Sequence, residues 1–139
     1  MRERKFRAWD SERKEMARVI NLDTEDCDVR LIDENCGRWT TVYPYIATVM
    51  EYTTMKDNNN NEIYEGDIVE FLDSSESTDS YERDEFWNVG KVFWNTERLG
   101  FDVSNRCDVD AEDVWTDIRV VGNIFESPKL LEEYREDDI

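Results

Sequence analysis

The chain contains no histidine. Ser-His-Asp and Cys-His catalysis, imidazole-ligated metal sites and histidine pH switching are therefore closed to it. Its three cysteines, Cys27, Cys36 and Cys107, are odd in number and show no C-x-x-C spacing. Neither a disulfide framework nor a zinc knuckle is implied, and ordinary thiols are expected. Five glycines are scattered through the sequence, with no glycine-rich loop to cradle a phosphate. Cations are scarce: 17 Lys and Arg stand against 35 Asp and Glu, a net charge of -18. A surface that grips nucleic acid by neutralising phosphates is not available at that balance. Long apolar runs are missing too. The least polar stretch, residues 45–50, is far shorter than the ~20 apolar residues a membrane helix needs. The opening Met1-Arg2-Glu3-Arg4-Lys5-Phe6-Arg7-Ala8-Trp9-Asp10 lacks the apolar core of a secretory signal. The expectation is a soluble cytoplasmic protein without membrane contact.

What is present is a chain of 139 residues, enough for one domain or two small ones with a real core. Charge is unevenly placed: residues 1–18 carry seven cations and four anions, while residues 19–139 carry a net -21. The plain reading makes this basic start an outer strand whose long side chains lie over acidic neighbours; the sharper one sets it against an acidic face of a second copy.

Apolar periodicity is close to two over most of the sequence, which predicts a mainly β protein. Lys91-Val92-Phe93-Trp94 and Phe101-Asp102-Val103-Ser104 flank Asn95-Thr96-Glu97-Arg98-Leu99-Gly100, a β-hairpin ending in a glycine suited to positive φ. Further strands are predicted over 5–10, 16–22, 41–52 (interrupted by Pro44), 67–72 and 118–125. A helix is predicted over 128–134, with Ser127 as cap and Pro128 in its first turn. A shorter helical turn is expected around 109–115, where Asp110 caps and Val114 and Trp115 dock. Residues 73–85 hold four serines, six carboxylates and one arginine, and read as an acidic loop.

Three constellations invite a chemical reading. In Lys56-Asp57-Asn58-Asn59-Asn60-Asn61-Glu62, the residues Asp57, Asn59 and Asn61 are spaced like the first ligands of a calcium loop. Glu62 then stands where glycine is needed and Ile68 where a bidentate glutamate belongs, so a hairpin turn explains the run better. Carboxylate pairs are so abundant that no acid and base can be singled out. The tryptophans Trp9, Trp39, Trp87, Trp94 and Trp115 suit a sugar-stacking face, but in a small β domain aromatics mostly fill the core. Core positions are expected for Trp9 and Trp94, and partial exposure for Trp87. No cofactor and no metal is called for.

At Glu62-Ile63-Tyr64-Glu65-Gly66-Asp67-Ile68-Val69 the chain resembles the YopX-like family of bacteriophage and prophage proteins. The likeness starts at Phe6-Arg7-Ala8-Trp9-Asp10 and returns at Met50-Glu51-Tyr52-Thr53 and Lys56-Asp57. It continues through Gly90-Lys91-Val92-Phe93-Trp94 and Gly100-Phe101, and closes with Val121-Gly122-Asn123-Ile124-Phe125-Glu126-Ser127-Pro128 and Leu130-Leu131. Two departures stand out: the family usually has Gly where Thr54 stands and Asn-Gly where Asn59-Asn60 stands, both expected to be turn positions. The resemblance implies an N-terminal β subdomain over 1–49 and an SH3-like barrel over 50–139, closed by the short C-terminal helix. It carries no catalytic residue across. The motif residues Trp9, Tyr64, Glu65, Gly66, Asp67, Trp94, Gly122 and Asn123 are expected to be structural.

The function expected on this basis is non-enzymatic: a phage or prophage accessory protein acting through protein contacts, as a homo-oligomer or on a host or phage partner. The alternative is an acidic DNA mimic that occupies the basic cleft of a host DNA-binding protein or nuclease. Mimicry needs acids arrayed on one ordered face, whereas acids confined to the 73–85 loop and the C-terminal tail would serve solubility. An enzyme built on carboxylates alone would need an ordered acidic pair in a deep pocket.

Overall fold

The structure is a computed structural model and describes residues 4–23, 28–32, 39–42, 47–76 and 83–131. It is mainly β, and the chain divides into two compact units, residues 1–54 and 55–139. In the first unit β1 (Phe6–Asp10), β2 (Glu15–Asp23), β3 (Asp28–Ile32), β4 (Trp39–Val42) and β5 (Ala47–Lys56) form an antiparallel sheet in the order β4-β3-β2-β1-β5. Ala8 is fully buried in β1, against Ala17, Val19 and Val49. A small residue suits a strand with neighbours on both sides.

The β1–β2 turn is made by its first residue. Asp10 is 3% exposed, and its Oδ1 accepts the N–H groups of Glu12 and Arg13 at 3.0 and 3.1 Å. Lys14 closes the turn at φ 55°. The β8–β9 hairpin described next repeats the device: Asn95 Oδ1 accepts from Glu97 and Arg98 at 3.1 and 3.4 Å, and Leu99 has φ 55°. Asn and Asp start such turns because their short side chains satisfy backbone donors two and three residues on.

In the second unit, the end of β5 is followed by β6 (Glu62–Tyr64), β7 (Asp67–Glu76), β8 (Arg83–Asn95), β9 (Gly100–Val103) and β10 (Ile118–Asn123). The last four form an antiparallel sheet in the order β10-β7-β8-β9. Alternation along β7 turns Val69 and Phe71 to one face, where they meet Ile63, Val92, Val103, Val114 and Ile118, each at most 2% exposed. Met55, Val109, Trp115 and Val120 pack around them. Burying Phe71 alone is worth ~2–3 kcal/mol. The expected helical turn forms after β9: the carbonyl of Asp110 accepts the N–H groups of Asp113 and Val114, and Val114 docks into the core.

Several expectations change in the structure. The basic start is not an outer strand, because β1 pairs with β2 on one side and β5 on the other. Two of its cations meet residues of β5: Arg4 pairs with Glu51 at 3.2 Å, and Lys5 lies over the Tyr52 ring at 5.5 Å. Both ends of the supposed acidic loop 73–85 are strand, since β7 runs to Glu76 and β8 begins at Arg83; residues 77–82 lie outside the described residues. Hydrogen bonds to backbone donors make the carboxylate of Asp73 compatible with burial, which composition does not register. The predicted strand 41–52 is two strands, β4 and β5, and β3 adds a strand that the periodicity missed. Trp94 is 40% exposed, with Phe101 edge-on to it at 5.2 Å, so it is not a core residue. Trp9 is half-buried, and Trp87 is 45% exposed as expected. Of the helix expected over 128–134, residues 129–131 are helical and 132–134 lie outside the described residues.

Candidate functional site

The structure brings most of the motif residues together. Gly66, at φ 89°, makes the turn between β6 and β7 in a conformation that suits glycine. Its N–H donates to the carbonyl of Val92, and its carbonyl accepts the N–H of Ile124. Asp67, 1% exposed, folds back so that Oδ2 accepts the Tyr64 N–H at 2.7 Å, which closes the Tyr64-Glu65-Gly66-Asp67 turn. Across the sheet Asp67 is the register partner of Asn123, and Ile68 that of Gly122. Asn123 Oδ1 accepts the N–H groups of Phe125 and Glu126 at 3.0 and 2.8 Å, starting the turn toward the C-terminal segment. Gly122 has no room for a side chain, because a Cβ there would lie 2.8 Å from both Cβ and Oγ of Ser127. Trp94 lies further along β8, and Trp9 belongs to the first unit. These residues build a junction of three chain segments, and none of the contacts just described is directed at a ligand.

Three other carboxylates have displaced proton affinities. Burial pushes each of them up, and hydrogen bonds outweigh it, so all three are held below the usual aspartate value of 3.8. Asp57 accepts from Asn59 N–H at 2.9 Å, Asn61 N–H at 2.8 Å and, across to β10, Val120 N–H at 2.9 Å. Its neighbour Asn58 accepts the N–H of Ile118 at 3.1 Å, so the asparagine run is a hairpin turn stitched to the start of β10. The Asp57 oxygens face N–H donors, which is the opposite of the arrangement a cation requires. Asp73 accepts from Asn88 Nδ2 and from the N–H groups of Cys107, Val109, Ser74 and Asp108, between 2.7 and 3.2 Å. Asp102 binds Arg106 in a fork at 2.9 and 3.1 Å and accepts from Asn95 Nδ2 at 3.1 Å. Arg106 passes the connection on to the carbonyl of Val109.

Asp73 and Asp102 thus hold the segment between β9 and β10, and that segment forms one wall of an acidic cleft of about 450 Å³. Leu72, Ser74 and Glu85 line it from the β7–β8 side, and Asp108, Asp110, Asp113 and Asp117 from the other. Sequence reasoning missed this site, because it assigned Asp73 and Glu85 to a solvated loop. The available signal was the run Asp108-Val109-Asp110, acids leading into a helical turn whose apolar Val114 had to dock. Among the described residues no group of three or more His, Cys, Asp or Glu is arranged to hold a metal ion. Cys107 is exposed, while Cys27 and Cys36 lie outside the described residues. No helix among the described residues is long and apolar enough to cross a membrane.

Fold and site together define a mainly β protein whose most perturbed carboxylates tie loops to sheets. The chain belongs to the YopX protein family, whose model matches residues 5–132. It is also similar to a solved structure, the crystal structure of protein EF1440 from Enterococcus faecalis, with a TM-score of 0.64 and 24% sequence identity over 94% of this chain and 99% of that one. That likeness speaks for the fold. No curated protein matches the chain.

Proposed function

We propose that this YopX-family protein is a non-catalytic accessory protein that works through contacts with other proteins, its acidic cleft receiving cationic side chains of a partner. One observation supports this reading most directly: the carboxylates with displaced proton affinity, Asp57, Asp73 and Asp102, have their oxygens turned to donors of the chain itself. An enzyme working through carboxylates keeps its perturbed groups turned to substrate. What this protein offers to solvent in the cleft is Glu85, Asp108, Asp110 and Asp113, exposed anions on ordered backbone. The setting proposed is the bacterial cytoplasm, in a phage or prophage context.

A second reading is favoured by the same cleft. Acids held on ordered backbone around one cleft support a DNA mimic better than acids confined to the 73–85 loop and the C-terminal tail would. Both readings predict contact with basic proteins that weakens as salt rises, through screening over a Debye length of ~8 Å at physiological ionic strength. The test is titration against a strongly basic DNA-binding protein across salt, beside a gel shift with random-sequence duplex. Salt-dependent binding to the basic protein, competed by duplex, supports mimicry; binding that duplex does not compete supports an accessory contact. Direct binding of the duplex at micromolar or tighter affinity overturns both.

A further inference from the structure

The β7–β8 ladder outruns its neighbours. It continues to Ser75 opposite Asp84 and Glu76 opposite Arg83, whereas β10 pairs with β7 only over Asp67–Phe71 and β9 with β8 only over Val92–Asn95. Beyond those limits the sheet is a two-stranded arm, and its two edges differ.

In an antiparallel ladder successive residues alternate between pointing their N–H and C=O groups at the partner strand and away from it. The Leu72 N–H donates to Asp117 and the Ser74 carbonyl accepts from Asp108, so these two β7 residues point away from β8. Their register partners on β8, Trp87 and Glu85, therefore point away from β7. The same parity runs up β8. Lys91 donates to Ser104 Oγ at 2.8 Å and accepts from Ser104 N–H at 3.0 Å, and the Val89 carbonyl accepts from Asn105 Nδ2 at 3.1 Å. The outward groups of Lys91 and Val89 are thus bonded, but those of Trp87 and Glu85, next along the same edge, have no partner among the described residues. Trp87 is 45% exposed, and Asp84 and Glu85 are exposed.

An open edge of this kind is a template for another strand unless charge or cover protects it. Here the exposed acids Asp84 and Glu85 stand along it, with Glu85 also lining the acidic cleft. A second copy pairing on this edge with Glu85 at the centre would set that acid against its own kind, which opposes self-association in that register. Arg119 already lies over one face of the Trp87 ring at 5.1 Å, so the indole is a place where cationic side chains stack.

We propose that the β8 edge at Glu85 and Trp87 takes an extended, lysine- or arginine-rich segment of a partner protein as an added strand. The partner's backbone pairs with the outward groups of these two residues. Its cations face Asp84, Glu85 and the cleft, and its alternate side chains cover Trp87. The proposal rests on the reading of this protein as one that acts through protein contacts, and specifies how the contact is made.

The test uses the full-length protein with an extended peptide of alternating lysine and valine, and with the same peptide N-methylated at every backbone amide. The second keeps charge and side chains but has no amide donor. Amide hydrogen exchange is read residue by residue. In the free protein the amides of Glu85 and Trp87 exchange fast while that of Phe86, turned to β7, is protected. The unmodified peptide should slow Glu85 and Trp87 about tenfold or more, and the N-methylated one should leave them unchanged. Glu85→Pro and Glu85→Gln both remove the carboxylate, but only proline removes an outward donor, so the proline variant should bind the unmodified peptide more weakly than the glutamine variant, and equal binding by the two would overturn strand addition. Equal effects of both peptides would overturn strand addition while leaving a charge-driven contact standing. Protection that rises with protein concentration alone would assign the edge to a second copy and overturn the proposal. Failure of either peptide to bind, with salt-dependent binding to intact basic proteins retained, would overturn this proposal and not the functional reading. Loss of both kinds of binding would overturn the two together.

Discussion

The carboxylate of Asp73 lies 2.7 Å from the backbone N–H of Cys107, 34 residues further along the chain. With Val109 N–H at 3.0 Å on its other oxygen, this 1%-exposed side chain fastens the end of β7 to the segment that walls the acidic cleft. The contact ties a carboxylate that composition would assign to solvent to a segment far along the chain, and the clearest expectations follow from it.

Replacing Asp73 leaves several part-buried N–H groups without this acceptor. Asp73→Ala should cost at least about 3 kcal/mol in urea unfolding, and Asp73→Asn, which keeps one acceptor oxygen, about 2 kcal/mol. Asp110→Asn, an exposed cleft residue, should change stability by less than ~0.5 kcal/mol. Equal losses for Asp73→Ala and Asp110→Asn would show that Asp73 holds nothing.

Acid should remove the same stabilisation. Asp57, Asp73 and Asp102 are more acidic in the folded chain than the usual 3.8, with burial opposing and hydrogen bonds prevailing. Each therefore contributes fully above the ordinary aspartate range, and the contribution fades as pH falls through that range and below it. The stability difference between wild type and Asp73→Asn should be constant from pH 7 to about pH 5 and shrink steadily below about pH 4. A difference that grows on acidification would reverse the assignment.

Backbone strain offers a gain in the opposite direction. Thr54 sits at φ 73° inside β5, not in a turn as its sequence context suggests, and Asn60 at φ 66° sits in the turn after it. A β-branched residue tolerates left-handed backbone poorly, so Thr54→Gly should raise stability by about 1 kcal/mol and Asn60→Gly by a few tenths. Leu99, at φ 55° and 76% exposed, should also gain about 1 kcal/mol on Leu99→Gly, because the strained residue is Leu99 and not Gly100 as expected. Thermal melts of the three variants check this, and a drop in melting temperature for Thr54→Gly would refute it.

Two glycines should separate sharply. A Cβ on Gly100 meets nothing within 4 Å, whereas one on Gly90 would lie 2.1 Å from the carbonyl oxygen of Ser104. Gly100→Ala should be neutral or slightly stabilising, and Gly90→Ala should cost several kcal/mol by forcing the 103–105 segment off β8. The comparison is read from denaturation midpoints of the two variants.

The sequence by itself determined the β class, the exclusion of histidine chemistry, the hairpin about residues 95–100, the asparagine turn after Asp57 and membership of a family. All of these rest on local pattern: a period of two, an Asx residue opening a turn, an ordered series of motifs. What it left undecided depended on partners distant along the chain. Composition assigned Asp73 to a solvated loop because a carboxylate is costly to bury alone. Only the fold supplies the donors of Asn88, Cys107 and Val109 that remove that cost. The basic residues 1–18 suggested an edge strand, but the edge or centre of a sheet is a matter of which strands pair on either side, and β5, about forty residues later, made β1 a central one. Likewise the acidic cleft exists because Asp73 and Asp102 draw the 104–117 segment onto the sheet, and the open edge at Trp87 exists because β9 stops pairing at Val92. Hydrogen-bond geometry between distant segments is a property of the folded chain, and no local pattern encodes it.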